Sequence, residues 1–499
     1  MTKSMKVCLA TVHADADFIP LALLYLKAYL VKKRTLPAED VRILEFNPGV
    51  GPEEVARRVV EANAGVLGLS CYAWNVKTLM AASRRIKEQR PEVLIVFGGP
   101  EVGPVARAVL EIHPHIDCIV KSEGELVFAE IVATVQRGGD IADVKGICFR
   151  SGSLVFDTDD APILQDLNEL ASPLRMFDGS TKGRVICIET QRGCVFRCNF
   201  CFYNKDLSIR NRRFDLDRVN EEIQFWLQQD IAEIYLMDPV FNLNAARAKE
   251  ICRFIAEHNQ RRIPIHTEVW AEFIDDEMAR LMHEANFHHL EVGLQTTDAN
   301  VLAITERRLK LGRFIEGIDH LKRHRVPFEL QLIYGLPGET RATFRESLNF
   351  AASLKPPELQ VFLLMILPGT ELSRKTKALK IEFDPEPPYD VRSHYSMTRE
   401  DIAYGIKVSR AVKYIGSAWT IRLLGREAGV TFPDLIDEWI EWTDTEPAGS
   451  VANDETSRME KLRRFVKHYC ARNRIPPAFY AASSAIEFRA RTEPNAARV

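Results

Sequence analysis

From residue 7 to about residue 150, short continuous apolar runs alternate with longer stretches in which apolar residues recur every three or four positions. Short runs bounded by turn residues suit strands buried on both faces, and the 3.6-residue period suits helices packed upon them. The pattern predicts strands at 7–12, 41–46, 66–71, 94–98, 118–121 and 146–150, with helices at about 20–32, 52–63, 76–89, 103–112 and 124–137 between them. Such alternation predicts an α/β fold over residues 1–150, a doubly wound parallel sheet whose ligand edge is the carboxyl ends of its strands.

Periodicity then lapses. Residues 151–183 are rich in Asp, Pro, Gly and Ser and read as a linker crossing the surface. From residue 184 to 390 the strand-helix alternation resumes, with strands at 185–190, 233–237, 265–269, 289–293, 328–332 and 359–363. Helices fall at 215–229, 243–259, 275–285, 299–304, 312–323 and 340–354, so six β-α units predict a partial (β/α)6 TIM-type barrel. Beyond Pro387-Pro388 only helical periods remain, at 398–415, 416–429, 431–443 and 454–472, giving an α-helical domain over 391–499. Trp419, Trp439, Trp442 and Tyr469 read as core of those helices, and the helices as a cap over the barrel mouth.

Composition narrows the class. A chain of 499 residues with 46% hydrophobic and 27% charged residues is a folded protein of two or three domains. A net charge of −3 leaves no electrostatic footprint for nucleic acid. No apolar run approaches the ~20 residues of a membrane span, and no signal pattern precedes the first strand, so a cytoplasmic location without a membrane partner is expected.

The chemistry is concentrated in Cys194, Cys198 and Cys201, spaced C-x3-C-x2-C directly after the first barrel strand. Three thiolates on one tight loop can hold three irons of a four-iron, four-sulfur (4Fe-4S) cluster and leave the fourth iron open for chemistry. Zinc would want a fourth ligand, for which Cys187, Cys252 and His258 are the nearest candidates. A redox dithiol leaves the third cysteine without a role, and a chance grouping of structural thiols is the remaining alternative.

With Phe200 before the last cysteine, the loop matches C-x3-C-x-aromatic-C and resembles the radical S-adenosylmethionine superfamily. The resemblance implies that the open iron is chelated by S-adenosylmethionine, whose reductive cleavage releases a 5′-deoxyadenosyl radical. Gly293-Leu294-Gln295, Arg307 and Gln331 through Gly338 are similar to the cofactor-binding region of its coproporphyrinogen dehydrogenase branch. That likeness implies S-adenosylmethionine contacts at Phe200, Asp238, Glu268, Gln295, Arg307 and Gln331, with Asp238 in the place of a Gly-Gly-Glu motif. Arg192 and Arg307-Arg308 are further candidates for an anionic substrate.

The N-terminal region resembles the Rossmann-like cobalamin-binding domains that precede some of these enzymes, through Gly68-Leu69-Ser70, Gly98-Gly99-Pro100-Glu101 and Glu123-Gly124-Glu125. By that likeness Ser70, Tyr72, Trp74, Asn75, Gly98, Gly99, Glu101, Glu123 and Gly124 would contact cobalamin (B12). The Asp-x-His-x-x-Gly loop that supplies a cobalt ligand in many cobalamin proteins is replaced by Thr11-Val12-His13-Ala14-Asp15-Ala16, so His13 reads as a loop histidine. The expected activity is methylation of an unactivated carbon of a small molecule or natural-product precursor, with flavodoxin or ferredoxin as electron donor. A radical cyclase, rearrangement or oxidation without methyl transfer is the alternative, and a non-catalytic cobalamin or iron–sulfur binding protein a second one.

Overall fold

The computed structural model describes residues 5–174, 176–204, 211–416, 419–445 and 455–476. The N-terminal sheet is built from β1 (Val7–Val12), β2 (Val41–Phe46), β3 (Val66–Ser70), β4 (Leu94–Gly98), β5 (Cys118–Val120), β6 (Ile147–Ser151) and β7 (Leu154–Asp157). Its order is β2-β1-β3-β4-β5-β6-β7, parallel through β5 and antiparallel at β6 and β7. The expected all-parallel sheet therefore gains an antiparallel strand in β6, after which Gly152 turns at φ +59° and returns the chain as the β6–β7 hairpin. The sheet thus ends inside the stretch read as linker.

Between these strands run α1 (Leu21–Lys32), α2 (Pro52–Ala62), α3 (Val76–Gln89), α4 (Ala106–Ile112) and α5 (Gly124–Gln136). Helices α2 and α3 cover one face, closing a core that contains Val55, Leu79, Ile86 and Phe97. On the other face α1 packs on α5, and their apolar sides merge with the core of the central domain. The linker joins that core: Leu164, Leu167, Leu170 and Leu174 are buried, although the surrounding Asp and Pro suggested a surface crossing.

The central sheet is formed by six parallel strands, β8 (Val185–Ile188), β11 (Glu233–Leu236), β12 (Ile265–Val269), β13 (Phe287–Gln295), β14 (Glu329–Tyr334) and β15 (Glu358–Leu363). They lie in sequence order from β8 at one edge to β15 at the other, as an open partial barrel requires. A two-residue ribbon, β9 (Gln191–Arg192) and β10 (Arg212–Arg213), stands after β8. Outside the sheet lie α6 (Leu216–Leu227), α7 (Ala245–His258), α8 (Asp276–Glu284), α9 (Ala299–Ile304), α10 (Leu311–Arg323) and α11 (Arg341–Ser353). The strands alternate, with register shifts at the start and near the end of β13. Ile234, Ile265, Leu290, Leu330 and Leu359 are buried toward the helices, while Glu233, His266, His289, Glu329 and Gln360 stand on the opposite side.

After α12 (Glu371–Lys375) and a short ribbon of β16 (Glu382–Phe383) and β17 (Val391–Ser393), the chain becomes helical: α13 (Arg399–Ile415), α14 (Trp419–Ala428), α15 (Phe432–Thr445) and α16 (Glu455–Arg472). Here the expectation of a cap needs correction. Helix α13 packs along the edge strand β15, with Ser409 donating to the Val361 carbonyl at 2.5 Å, and α15 packs on α11 and α13. An edge strand presents unpaired backbone groups, so covering it satisfies a demand that the barrel mouth does not make. Trp439, Trp442 and Tyr469 are buried among these helices with Phe465, as their spacing predicts. No described helix is long and apolar enough to cross a membrane.

Candidate functional site

The loop after β8 carries Cys194, Cys198 and Cys201 to the carboxyl ends of the central strands, the functional end of such barrels. It is anchored on three sides. Asn199 donates from its backbone to Thr305 O at 3.0 Å and from its side chain to Ile304 O at 2.7 Å, while Leu372 N donates to Asn199 O at 2.8 Å. Within the loop, Cys201 N donates to Cys198 O at 3.0 Å, closing the turn that sets the thiols side by side.

All three cysteines line one cleft, together with Phe196, Phe200, Trp270, Glu268, Glu291, Gln295, Arg307 and Gln331 among others. The space between its walls, open solvent included, is ≈ 710 Å³. The residues lining it include no fourth cysteine and no histidine. Cys252 lies on α7 and Cys187 is buried within β8, so the zinc reading loses its nearest fourth ligands. Burial pushes the Cys194 thiol up and the Cys201 thiol up to about 12, so their thiolates call for a cation.

Arg307 supplies one positive charge at this point. Its guanidinium donates to Cys198 Sγ at 3.6 Å and to Gly293 O at 2.5 Å, and lies 4.5 Å over the Trp270 ring. Trp270 in turn stacks on Phe196 at 3.8 Å, giving a flat apolar wall beside a cation. The β13 register shifts between Gly293 and Gln295, and Gln295 takes φ +68°. This irregularity turns its amide toward the cleft, where Oε1 is buried without a hydrogen-bond partner. A Cβ on Gly293 would crowd the Gln295 amide nitrogen and displace that side chain.

Glu268 accepts from Tyr235 at 3.1 Å, and burial together with the Glu291 charge raises its pKa to about 7. Gln331 donates to both Glu291 at 2.9 Å and Glu329 at 2.8 Å. His266 touches Glu233 at 3.2 Å and Glu291 at 3.0 Å. Donor atoms of His266, His289 and Glu291 lie within 4.8 Å of one another, yet both His266 nitrogens are already engaged, so the trio reads as an ion ladder.

Five of the six residues expected at S-adenosylmethionine meet in this cleft: Phe200, Glu268, Gln295, Arg307 and Gln331. Asp238 does not line it. The Asp238 carboxylate is fully buried and accepts from Thr190 N at 2.8 Å, Thr190 Oγ1 at 2.5 Å and Gln191 N at 3.1 Å. It splints the turn between β8 and the cysteine loop, and burial raises its pKa to about 7.

The expected cobalamin residues divide in the same way. Tyr72 and Trp74 stack at 4.4 Å with an interplanar angle of 4°, and Trp74 is 56% exposed on the carboxyl edge of the N-terminal sheet. Ser70, Gly98 and Gly99 end the neighbouring strands. Gly99 takes φ +107°, and a Cβ there would lie 2.5 Å from Cys71 O, so the chain itself already demands this glycine. The Asn75 amide is directed inward, bonding Val12 O at 2.9 Å and Ser70 O and Thr11 Oγ1 each at 3.2 Å, which ties β1 to β3. Glu101 accepts from Tyr389, and Glu123 accepts from Arg212 at 2.5 and 3.0 Å. Contrary to expectation, the polar atoms of Asn75, Glu101 and Glu123 are thus occupied by the chain, while Gly124 begins α5. His13 is paired with Glu45 at 2.9 Å, as a loop histidine.

Sequence reading missed how these two edges meet. Tyr389 and Gly369, which follow β15, touch the loop after β4 at Glu101 and Pro104. Arg192, offered as a substrate contact, pairs with Glu125 at 2.7 Å after β5. The carboxyl edge of the N-terminal sheet therefore faces the carboxyl edge of the central one, and local pattern carries no signal for that.

Comparison with known proteins agrees with this geometry. Residues 7–132 match the B12 binding domain and residues 188–351 the Radical SAM superfamily. The cobalamin-dependent radical SAM methyltransferase TokK of Streptomyces tokunonensis is 30% identical over 73% of this chain and 56% of its own length. The 2-(S-pantetheinyl)-carbapenam-3-carboxylate methyltransferase of Streptantibioticus cattleyicolor is 28% identical over 69% of this chain and 54% of its own. An anaerobic magnesium-protoporphyrin IX monomethyl ester cyclase of Rubrivivax gelatinosus is 24% identical over 61% and 57%, respectively. The chain thus spans just over half the length of these relatives. In fold it is similar to the methyltransferase TsrM of Kitasatospora setae, with a TM-score of 0.64 at 17% identity over 77% of this chain and 79% of that one. The cobalamin-dependent radical enzyme OxsB gives 0.64 at 13% identity over 93% and 75%. Through residues 188–351 the chain belongs to the radical SAM superfamily, with a B12-binding domain ahead of its barrel.

Proposed function

We propose that this chain is a cobalamin-dependent radical S-adenosylmethionine methyltransferase acting on an unactivated carbon of a small molecule. One observation carries the reading: a cleft with three cysteines on one loop opens at the carboxyl edge of the central sheet, and the carboxyl edge of the B12-binding sheet faces it. When bound, the cluster, S-adenosylmethionine and cobalamin supply the radical and the transferable methyl group.

The chain supplies position and charge. Cys194, Cys198 and Cys201 are the three thiolate ligands, and Arg307 is placed to neutralise thiolate or substrate-carboxylate charge. Gln295, with its unpartnered Oε1, suits an ammonium or ribose hydroxyl, and Glu268, poised at about 7, can hold or release a proton beside it. Phe200, Trp270 and Phe196 give the aromatic surface that a nucleoside base would cover. Across the interface Ser70, Tyr72, Trp74 and Gly98 front the position for cobalamin, and substrate lies between the two edges. A reductant such as flavodoxin or ferredoxin completes the system.

The test is anaerobic reconstitution with iron, sulfide and hydroxocobalamin, followed by a low-potential reductant and S-adenosylmethionine labelled in its methyl group. Bound cobalamin, 5′-deoxyadenosine formation and label on the cobalt are expected. A chain that takes up the cluster but no cobalamin would rule out methyl transfer. The cyclase relative keeps a second reading open, which 5′-deoxyadenosine formation without labelled methyl on cobalt or product would favour.

A further inference from the structure

Arg192 and Arg212 stand on either side of the segment that carries the cysteines, and they face each other across the β9–β10 ribbon. Two like charges directly opposite in an antiparallel pair repel. Neither side chain reaches water freely: Arg192 is 13% exposed and Arg212 is 6% exposed. Two of the three anions that balance them come from the other domain. Glu123 holds Arg212 through both carboxylate oxygens, at 2.5 and 3.0 Å, and lies 3.7 Å from Arg192. Glu125 holds Arg192 at 2.7 Å, and Glu189 at the end of β8 completes its shell at 2.8 Å. Tyr25 of α1 lies beneath the same guanidinium, with its ring centre 5.0 Å away.

Glu123, Gly124 and Glu125 form the turn that carries the chain from β5 into α5, on the ligand edge of the B12-binding sheet. Acidic side chains are favoured at a helix start. A fork-to-carboxylate contact fixes direction as well as distance. We propose that Glu123 and Glu125 are positioning residues for the cysteine loop: through Arg192 and Arg212 they tie it to the B12-binding domain. This rests on the reading that the loop holds an iron–sulfur cluster.

The experiment follows the release of iron to a chelator from anaerobically reconstituted full-length protein. E123Q and E125Q are compared with E45Q, which neutralises a different interdomain pair, Glu45 with Arg184 at 2.6 Å, at the start of β8. Release should accelerate about tenfold in E123Q and E125Q, as expected for the loss of one charge-assisted hydrogen bond. It should not change in E45Q. The electron paramagnetic resonance spectrum of the reduced cluster with S-adenosylmethionine should shift in the same two variants only. Should E125Q fail to fold, E123Q carries the test, because the Glu123 side chain is 32% exposed. Wild-type release rates in E123Q, or equal acceleration in E45Q, would overturn the proposal. A wild-type chain that takes up no iron would instead overturn the cluster reading on which it rests.

Discussion

Single side chains in and behind the cleft fall into two groups, those facing the open space and those holding the chain in place. Cys198 belongs to the first, and Cys198→Ala should lose its iron entirely while keeping the fold, measured as iron per chain and circular dichroism after reconstitution. Asp238 belongs to the second. Asp238→Ala strands the backbone N–H groups of Thr190 and Gln191, at roughly 1–3 kcal/mol for each buried unsatisfied group. The expected result is a urea midpoint lowered as far in the apo chain as in the reconstituted one. A loss confined to S-adenosylmethionine binding would instead assign Asp238 to the ligand. The cysteines were legible because their spacing is itself the chemistry. Asp238 was not, because a strand-end carboxylate looks the same whether it accepts from a ligand or from its own backbone.

At the scale of elements, the central strands bury their apolar side toward the helices and turn Glu233, His266, Glu291 and Glu329 away from it. Burial alone would lower the His266 pKa, but Glu233 and Glu291 outweigh it and hold it at about 9. The folded value lies above the ordinary one, so this stabilisation is complete below about pH 6.5 and is lost as pH rises through about 9. It amounts to at most roughly 3 kcal/mol. Urea midpoints of the wild-type chain and His266→Gln should therefore differ at about pH 6 and converge near pH 10. Helix α10 gives a prediction of opposite sign to propensity. In an exposed helix Gly→Ala gains about 1 kcal/mol. At Gly317, however, a Cβ would overlap the Ala271 carbonyl oxygen, so Gly317→Ala should destabilise by about 1–3 kcal/mol in calorimetry or urea unfolding.

For the whole molecule, the arrangement of domains matters more than any one of them. The C-terminal helices seal the β15 edge and contribute no residue to the described cleft lining, so the B12-binding domain is what faces the mouth. A chain ended before Thr398 should consequently aggregate, read as a shift to large species in size-exclusion chromatography, through the bared β15 edge and the exposed face of α11. The opposite expectation, a cap over the cleft, would leave such a chain monomeric and merely deprived of substrate shielding.

Local pattern by itself determined the two strand-helix alternations, the helical tail and the cysteine loop. Strand burial, helix period and ligand spacing are all properties of neighbours along the chain. Only the tertiary structure decided which polar residues remain available to a ligand. Glu101 and Glu123 meet Tyr389 and Arg212 across 288 and 89 residues of sequence, and no periodicity encodes such pairs. The same long-range contacts set the two carboxyl edges face to face, because a buried carboxylate must find a cation or donor wherever folding brings one. The sequence announced two ligand edges; packing turned them toward each other.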